Sequence, residues 1–225
     1  MKLLLMLMLC LLAVSGCAAA ESPDHTAILL PEEGMSLLAI NVGKADALLL
    51  RYEDCTYLID TGTAESWGNV SAALHVGGID HLTGVIVTHT DGDHAGGAWA
   101  LATSSIQVDT WYTSRYYADI KNESKHPVVQ AATLRNESVQ WLSQGDVLPF
   151  GSGRLTVLGP ISKSEKENCN SVVLLAEAEG GSMLLTGDME FPEETELMDA
   201  GLISRCTVLK VGNHAESDAT SELFA

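Results

Sequence analysis

His89, Asp91, Asp93 and His94 place two imidazoles and two carboxylates within six residues, directly after the β-branched run Val85-Ile86-Val87. Imidazole nitrogen and carboxylate oxygen are the ligands that Zn²⁺ and harder divalent ions take up. Alternate side chains of an extended segment share a face. His89, Asp91 and Asp93 are therefore expected to point together, with His94 turning off where the chain bends into a helix. Gly92 permits that turn, and Ala95-Gly96-Gly97 let the following helix come close to the metal. A polar loop with scattered charges is the competing reading, and four ligand types crowded behind a strand weigh against it.

A second stretch repeats the device. Met183-Leu184-Leu185-Thr186-Gly187-Asp188 is an apolar strand, a glycine and a carboxylate at its tip. Thr-Gly-Asp alone is common in turns, but it gains weight after a buried strand and downstream of the first motif. Further on, Val208-Leu209-Lys210-Val211-Gly212-Asn213-His214-Ala215 brings another imidazole to the end of an apolar run.

The pattern His89-x-Asp91-x-Asp93-His94 resembles the His-x-His-x-Asp-His signature of the metallo-β-lactamase fold, in the variant whose second His is Asp. That variant is similar to the one in the extracytoplasmic domain of ComEC-like competence proteins and their free-standing relatives. The similarity runs from about residue 35 to residue 224. It implies an α/β fold, the four-layer αβ/βα sandwich, and a divalent metal pair, Zn²⁺ or Mn²⁺. His89, Asp91 and Asp188 would hold one ion, and Asp93, His94, Asp188 and His214 the other. Asp188 would bridge them, since its two oxygens can serve two cations. Asp60, in Asp60-Thr61-Gly62, would orient ligands from behind; from the residues alone a turn-capping Asp is as good a reading.

The resemblance also marks departures. Asn168-Cys169-Asn170-Ser171 is similar to an Asn-Asn-x-Ser segment, so Asn168 or Asn170 would meet metal or substrate, and Cys169 leaves the role of a thiol open. The family's Lys-Val-x-His-His-Gly is here Lys210-Val211-Gly212-Asn213-His214-Ala215, with Asn213 and Ala215 as replacements. Lys210 would contact an anionic substrate or serve as a strand-end charge. Gly43-Lys44-Ala45-Asp46 resembles the family's Val-Gly-Gln-Gly-Asp turn, with Lys44 and Ala45 departing from it.

These groups need strands to carry them. Apolar runs at residues 35–42, 47–52, 55–59, 85–87, 108–112, 139–142, 172–176 and 208–211 read as strands, and 66–75, 95–103 and 127–135 as helices. Gly145-Asp146 and Gly151-Ser152-Gly153 punctuate two hairpin-like strands that end at Leu158-Gly159-Pro160. His75 and His81 read as surface residues. Tyr112, Tyr116, Tyr117 and His126 are candidates to line a substrate cleft. Residues 220–224 resemble the start of a helix that in the family leads to further strands, so the fold is either completed differently or C-terminally truncated.

Met1-Lys2 followed by the apolar run 3–14 reads as a signal peptide, too short for a permanent membrane span. Val14-Ser15-Gly16-Cys17 resembles a bacterial lipobox, which implies a signal over 1–16, a lipid on Cys17 and a protein anchored outside the cytoplasm. Plain secretory cleavage near Ala18 to Ala20 is the alternative. A tether over 17–34 then leads into the domain, residues 35–225. The odd number and wide spacing of Cys55, Cys169 and Cys206 argue against a disulfide framework, and Cys55 and Cys206 read as core.

With 30 Asp and Glu against 12 Lys and Arg, the formal net charge is −18. Such a surface repels nucleic-acid backbones and disfavours tight non-specific binding of long polymers. The function expected is therefore metal-dependent hydrolysis of small or surface-tethered phosphodiesters, with Asp93 and Asp188 positioning the attacking water or accepting its protons. An extracellular nuclease linked to DNA uptake and a surface binding module that has lost the reaction are the alternatives.

Overall fold

The protein is described by a computed structural model over residues 31, 33–117 and 125–225. The expected signal peptide, Cys17 and most of the expected tether lie outside the described residues.

The elements run β1 (Ser36–Ala39), β2 (Leu48–Tyr52), β3 (Cys55–Ile59), α1 (Trp67–Val76), β4 (His81–Leu82), β5 (Gly84–Val87), α2 (Gly92–Ala95), α3 (Ala98–Thr103), β6 (Gln107–Val108) and β7 (Trp111–Ser114). They continue with α4 (Pro127–Leu134), β8 (Val139–Leu142), β9 (Val147–Leu148), β10 (Arg154–Gly159), β11 (Val173–Ala178), β12 (Gly181–Leu185), α5 (Phe191–Asp199) and β13 (Val208–Lys210). One six-stranded sheet has the order β1-β2-β3-β5-β7-β8, and a five-stranded sheet the order β13-β12-β11-β10-β9. The pairs β3/β5, β5/β7, β7/β8 and β12/β13 are parallel.

Alternation along the strands divides the apolar residues into three cores. Leu50, Tyr57, Ile59 and Ile86 of the first sheet face Leu155, Val157, Leu174 and Leu185 of the second. Leu49, Leu58, Val85 and Val87 point the other way, onto Val70 and Leu74 of α1, Leu101 of α3 and Val128 of α4. On the far side, Val173, Leu175 and Leu184 pack with Leu197 of α5. Helices, sheet, sheet and helix form the four layers, and the parallel strands at the centre of the first sheet are buried on both faces.

The structure departs from the sequence reading at several places. The strand expected over 108–112 is two: β6 pairs with β4, while β7 joins the main sheet. Between them Asp109 is held by His81, Nε2 to Oδ1 2.8 Å, and its N–H donates to Leu82 O. The helix expected over 95–103 is broken into α2 and α3 at Gly96-Gly97. A Cβ at Gly97 would lie 2.3 Å from Thr61 O and one at Gly96 2.7 Å from Ala64 N, so only glycine allows this approach to the Asp60 loop. Helix α5 was not anticipated, because Glu193 and Glu194 stand buried where an amphipathic pattern calls for apolar residues. Residues 222–224 form a turn rather than a helix, and Phe224 seals the third core at 8 % exposure. Cys55 and Cys206 pack beside cores as expected, both as free thiols.

Candidate metal centre

Strands of both sheets deliver the chemistry to one end of the sandwich. His89 follows β5, Asp91 is the N-cap of α2, and Asp93 and His94 lie within α2. Asp188 follows β12 through Gly187, whose φ of +52° turns the chain, and His214 follows β13. A backbone tie closes the gap between the sheets, Val172 N–H donating to Thr88 O at 3.0 Å, and within the second sheet's loops Asp188 N–H donates to Ser171 Oγ at 3.1 Å.

The side chains gather as two half-sites around Asp188. In one, His89 Nε2 stands 3.6 Å from Asp91 Oδ2 and 4.0 Å from Asp188 Oδ2. In the other, His214 Nε2 lies 3.4 Å from Asp93 Oδ2, 3.3 Å from Asp188 Oδ2 and 3.4 Å from His94 Nε2, with His94 Nε2 3.2 Å from Asp188 Oδ2. The ligand atoms of Asp93, His94, Asp188 and His214 all fall within 4.8 Å of one another. The expected common face of His89, Asp91 and Asp93 is corrected here. The strand ends at Val87 and Asp93 rides on a helical turn, so Asp91 goes to one half-site and Asp93 to the other.

Asp60 sets the imidazoles. It sits 1 % exposed with φ +58°, in the left-handed region that a non-glycine residue adopts only at a cost. Thr88 N–H donates to its Oδ1 at 2.7 Å and Thr88 Oγ1–H to Oδ2 at 2.9 Å. With its single proton committed to Asp60, the Thr88 hydroxyl can only accept from His89 Nδ1, 3.1 Å away. His94 Nδ1–H donates to Asp60 Oδ2 at 2.8 Å. Both rings thus carry a proton on Nδ1 and turn Nε2 toward Asp188, as carboxylate-oriented metal ligands do.

The electrostatics match. Burial would push the Asp60 carboxyl up, yet His94, His89 and the Thr88 N–H outweigh it and hold it below the usual carboxylate range. Burial likewise opposes a charged His94, but Asp60 and Asp188 hold its pKa at about 10. Asp188 is lowered to about 2, its burial outweighed by His94, Lys210 and His89. A cation entering here would displace a proton from His94. Two buried atoms, His89 Nε2 and Asp188 Oδ1, have no hydrogen-bond partner among the described residues. Buried lone pairs without partners are costly in a native fold, and divalent cations bound in this cluster would satisfy them. The residues fit a metal.

Asp46, 9 % exposed, is a residue that the motif reading left as part of a turn. Its Oδ2 pairs with Lys210 Nζ and lies 3.9 Å from His94 Nδ1, and its Oδ1 lies 3.7 Å from His214 Nδ1. The available signal was its position, closing a tight turn between two strands. Lys210 is therefore engaged within the protein, donating also to Gly187 O at 2.7 Å, rather than extended toward a ligand.

The other candidates divide. Asn170 is 4 % exposed, and its amide staples a loop, accepting from Ser164 N and donating to Ser164 O and Lys166 O. That occupies the group expected at metal or substrate. Asn168 donates to Glu190 Oε1 at 3.1 Å, and Cys169 is buried beside Glu190, where burial raises its thiol. Tyr112 belongs to the core between the sheets. His126 is also internal, accepting from Val128 N–H as the N-cap of α4, with burial lowering its pKa to about 4. Tyr116 and Tyr117 do line a cleft of about 490 Å³, with Lys163, Glu165 and Glu167. Glu167 accepts a hydrogen bond from Thr90, so the cleft adjoins the metal loop. Asn213 donates to Asp218 Oδ1 at 3.3 Å, leaving His214 as the imidazole of this turn in the cluster.

The profile described as the Metallo-beta-lactamase superfamily matches residues 40–223, and the chain belongs to that superfamily, whose members are in general metal-dependent hydrolases. Among curated proteins it is 29% identical over 204 residues to ComE operon protein 3 of Bacillus subtilis, covering 82% of this chain and 26% of that protein. It is 30% identical over 190 residues to Recombination protein 2 of Haemophilus influenzae, covering 81% and 22%. The chain thus spans about a quarter of the length of these relatives. A solved β-lactamase from Chitinophaga pinensis shares the fold at a TM-score of 0.58 and 13% identity, over 85% of this chain and 82% of that one.

Proposed function

We propose that this chain is a phosphodiesterase acting outside the cytoplasm, with two divalent cations, Zn²⁺ or Mn²⁺, held by His89, Asp91, Asp93, His94, Asp188 and His214, and with a lipid anchor on Cys17. The observation that carries the reading is the pair of unpartnered buried atoms, His89 Nε2 and Asp188 Oδ1, inside a cluster where carboxylates equal imidazoles in number. Oxygen-rich ligation suits hard cations and phosphate oxygens better than an all-imidazole zinc site does. A bound divalent cation lowers the pKa of water toward about 7 and offsets charge on the phosphate.

The chain's own groups supply the rest. Asp60 and Thr88 hold both imidazoles in one tautomer, so no rotation is needed when the cations arrive. Asp93 is one-third exposed at the mouth, 35 % by side chain, and in this reading it orients the attacking water and accepts its proton. Asp188 stays ionised because its pKa is near 2. The cleft beside Thr90 has room for the substrate's leaving group.

Nuclease action is a second reading, favoured by the names of the relatives, and a net charge of −18 weighs against long polyanions. A binding module that keeps only the fold is weakened by the presence of His214 in the cluster. The test is a panel of bis-(p-nitrophenyl) phosphate, single-stranded DNA and a chromogenic β-lactam, each with Mn²⁺ or Zn²⁺. Metal-dependent turnover of the small diester is expected. Turnover of the β-lactam alone overturns the proposal, preferential DNA cleavage moves it to the nuclease, and a wild type without metal or turnover favours the binding module.

A further inference from the structure

Five carboxylates, those of Asp46, Asp60, Asp91, Asp93 and Asp188, converge on one end of the sandwich, and Lys210 is the lysine among them. Its ammonium stands between two of them. It pairs with Asp46 Oδ2 and donates to Gly187 O, while Asp188 Oδ1 is 3.8 Å away and makes no hydrogen bond. The second oxygen of the shared carboxylate is therefore within reach of the ammonium but is not taken by it. What holds the ammonium back is a buried carboxylate that is itself fixed: Asp46 N–H donates to Asp93 O at 3.2 Å, and Asp46 O accepts from Gly62 N–H at 2.8 Å.

Without the Asp46 charge, a buried ammonium would be left 3.8 Å from a buried carboxylate oxygen with no other partner. Charges so placed and so poorly solvated close on each other. The Lys side chain has four rotatable carbons with which to do it. Lys210 would then hold Asp188 Oδ1 and compete with the divalent cations for this carboxylate. Asp46 also faces His214, but at 3.7 Å that contact is longer than a hydrogen bond, whereas Lys210 is in direct ion-pair contact.

We infer that Asp46 is a positioning residue that keeps the Lys210 ammonium off the Asp188 carboxylate, so that Asp188 remains free to share two cations. The inference rests on the two-cation reading above and concerns which residue keeps the shared ligand open.

The test is calorimetric titration of the metal-stripped full-length protein with Mn²⁺, comparing wild type, Asp46→Asn, Lys210→Met and the double variant. Asp46→Asn should weaken cation binding roughly ten- to hundredfold, the usual effect of losing a group that orients a ligand. Lys210→Met alone should bind as tightly as wild type or more so. In the double variant the loss should largely disappear, because the competitor has gone, a recovery that a purely structural role for Asp46 would not give. Wild-type affinity in Asp46→Asn, or a loss that removing Lys210 does not recover, overturns the inference while leaving the two-cation reading intact. Wild type that binds no second cation removes both. If Asp46→Asn fails to fold, Lys210→Met decides: weaker binding than wild type overturns the inference.

Discussion

The two half-sites are built to different standards. His89, the imidazole of the first, is fully buried directly after the central strand β5, and the Asp60–Thr88 network fixes its ring as it fixes that of His94, which the second half-site shares with His214. His214 stands on a turn after β13, a three-residue edge strand that is half exposed. Three consecutive residues of that turn, Asn213, His214 and Ala215, have φ of 40°, 50° and 63°. Each left-handed non-glycine residue costs about 1–2 kcal/mol, so the turn persists because its neighbours hold it. Those ties are Gly212 N–H to Thr220 Oγ1 at 2.8 Å and Asn213 to Asp218, while the nearby Lys44–Glu216 pair is exposed. One half is therefore set by the core alone, and the other depends in part on a strained surface turn. Cation affinity should divide accordingly, tight at His89 and weaker at His214.

Removing the group common to both halves has the largest expected effect. Asp188→Asn should empty both half-sites, seen as metal content falling to the background of the stripped protein by elemental analysis. Retention of a full complement would show that Asp188 is not shared. Next comes Asp60→Ala, which strips Thr88 N–H, the Thr88 hydroxyl and the His94 ring of their partner. It should lower the stability of the metal-free protein by about 3 kcal/mol, judged from denaturant midpoints, since a buried network is broken on one side. Asp60→Asn should recover part of this.

Smaller changes sharpen the contrast on the weaker side. Ala215→Gly should stabilise the protein by about 1 kcal/mol, because glycine adopts positive φ without penalty. The same result on thermal unfolding would explain why the family pattern has Gly where this chain has Ala215. Lys44→Ala should change neither stability nor metal content measurably, since both members of its ion pair are solvent-exposed. A large effect there would mean that the turn depends on its surface tie.

Most of the tight half was legible in the sequence because its ligands are contiguous and follow a β-branched strand. Asp188 could be read for the same reason, as a second strand ending in a carboxylate. The weaker half was only partly legible. Spacing could not say whether Asn213 or His214 turns inward, because that depends on three left-handed residues whose types do not announce them. Asp46 was hidden because its role is defined by Lys210 and His214, which tertiary structure alone brings near. Asn170 misled because a buried amide can staple a loop as readily as bind a ligand. Within the fold, α5 escaped notice because buried glutamates break its apolar stripe, and the 108–112 segment because one continuous run serves two sheets.

The central claim is that one shared carboxylate serves two half-sites of unequal strength. Stepwise calorimetric titration of metal-stripped wild type and His214→Ala with Zn²⁺ tests it most directly. Wild type should show two binding steps, and His214→Ala should keep the tighter step while losing the weaker one. Loss of both steps together, or a wild type with no binding at all, would contradict the account.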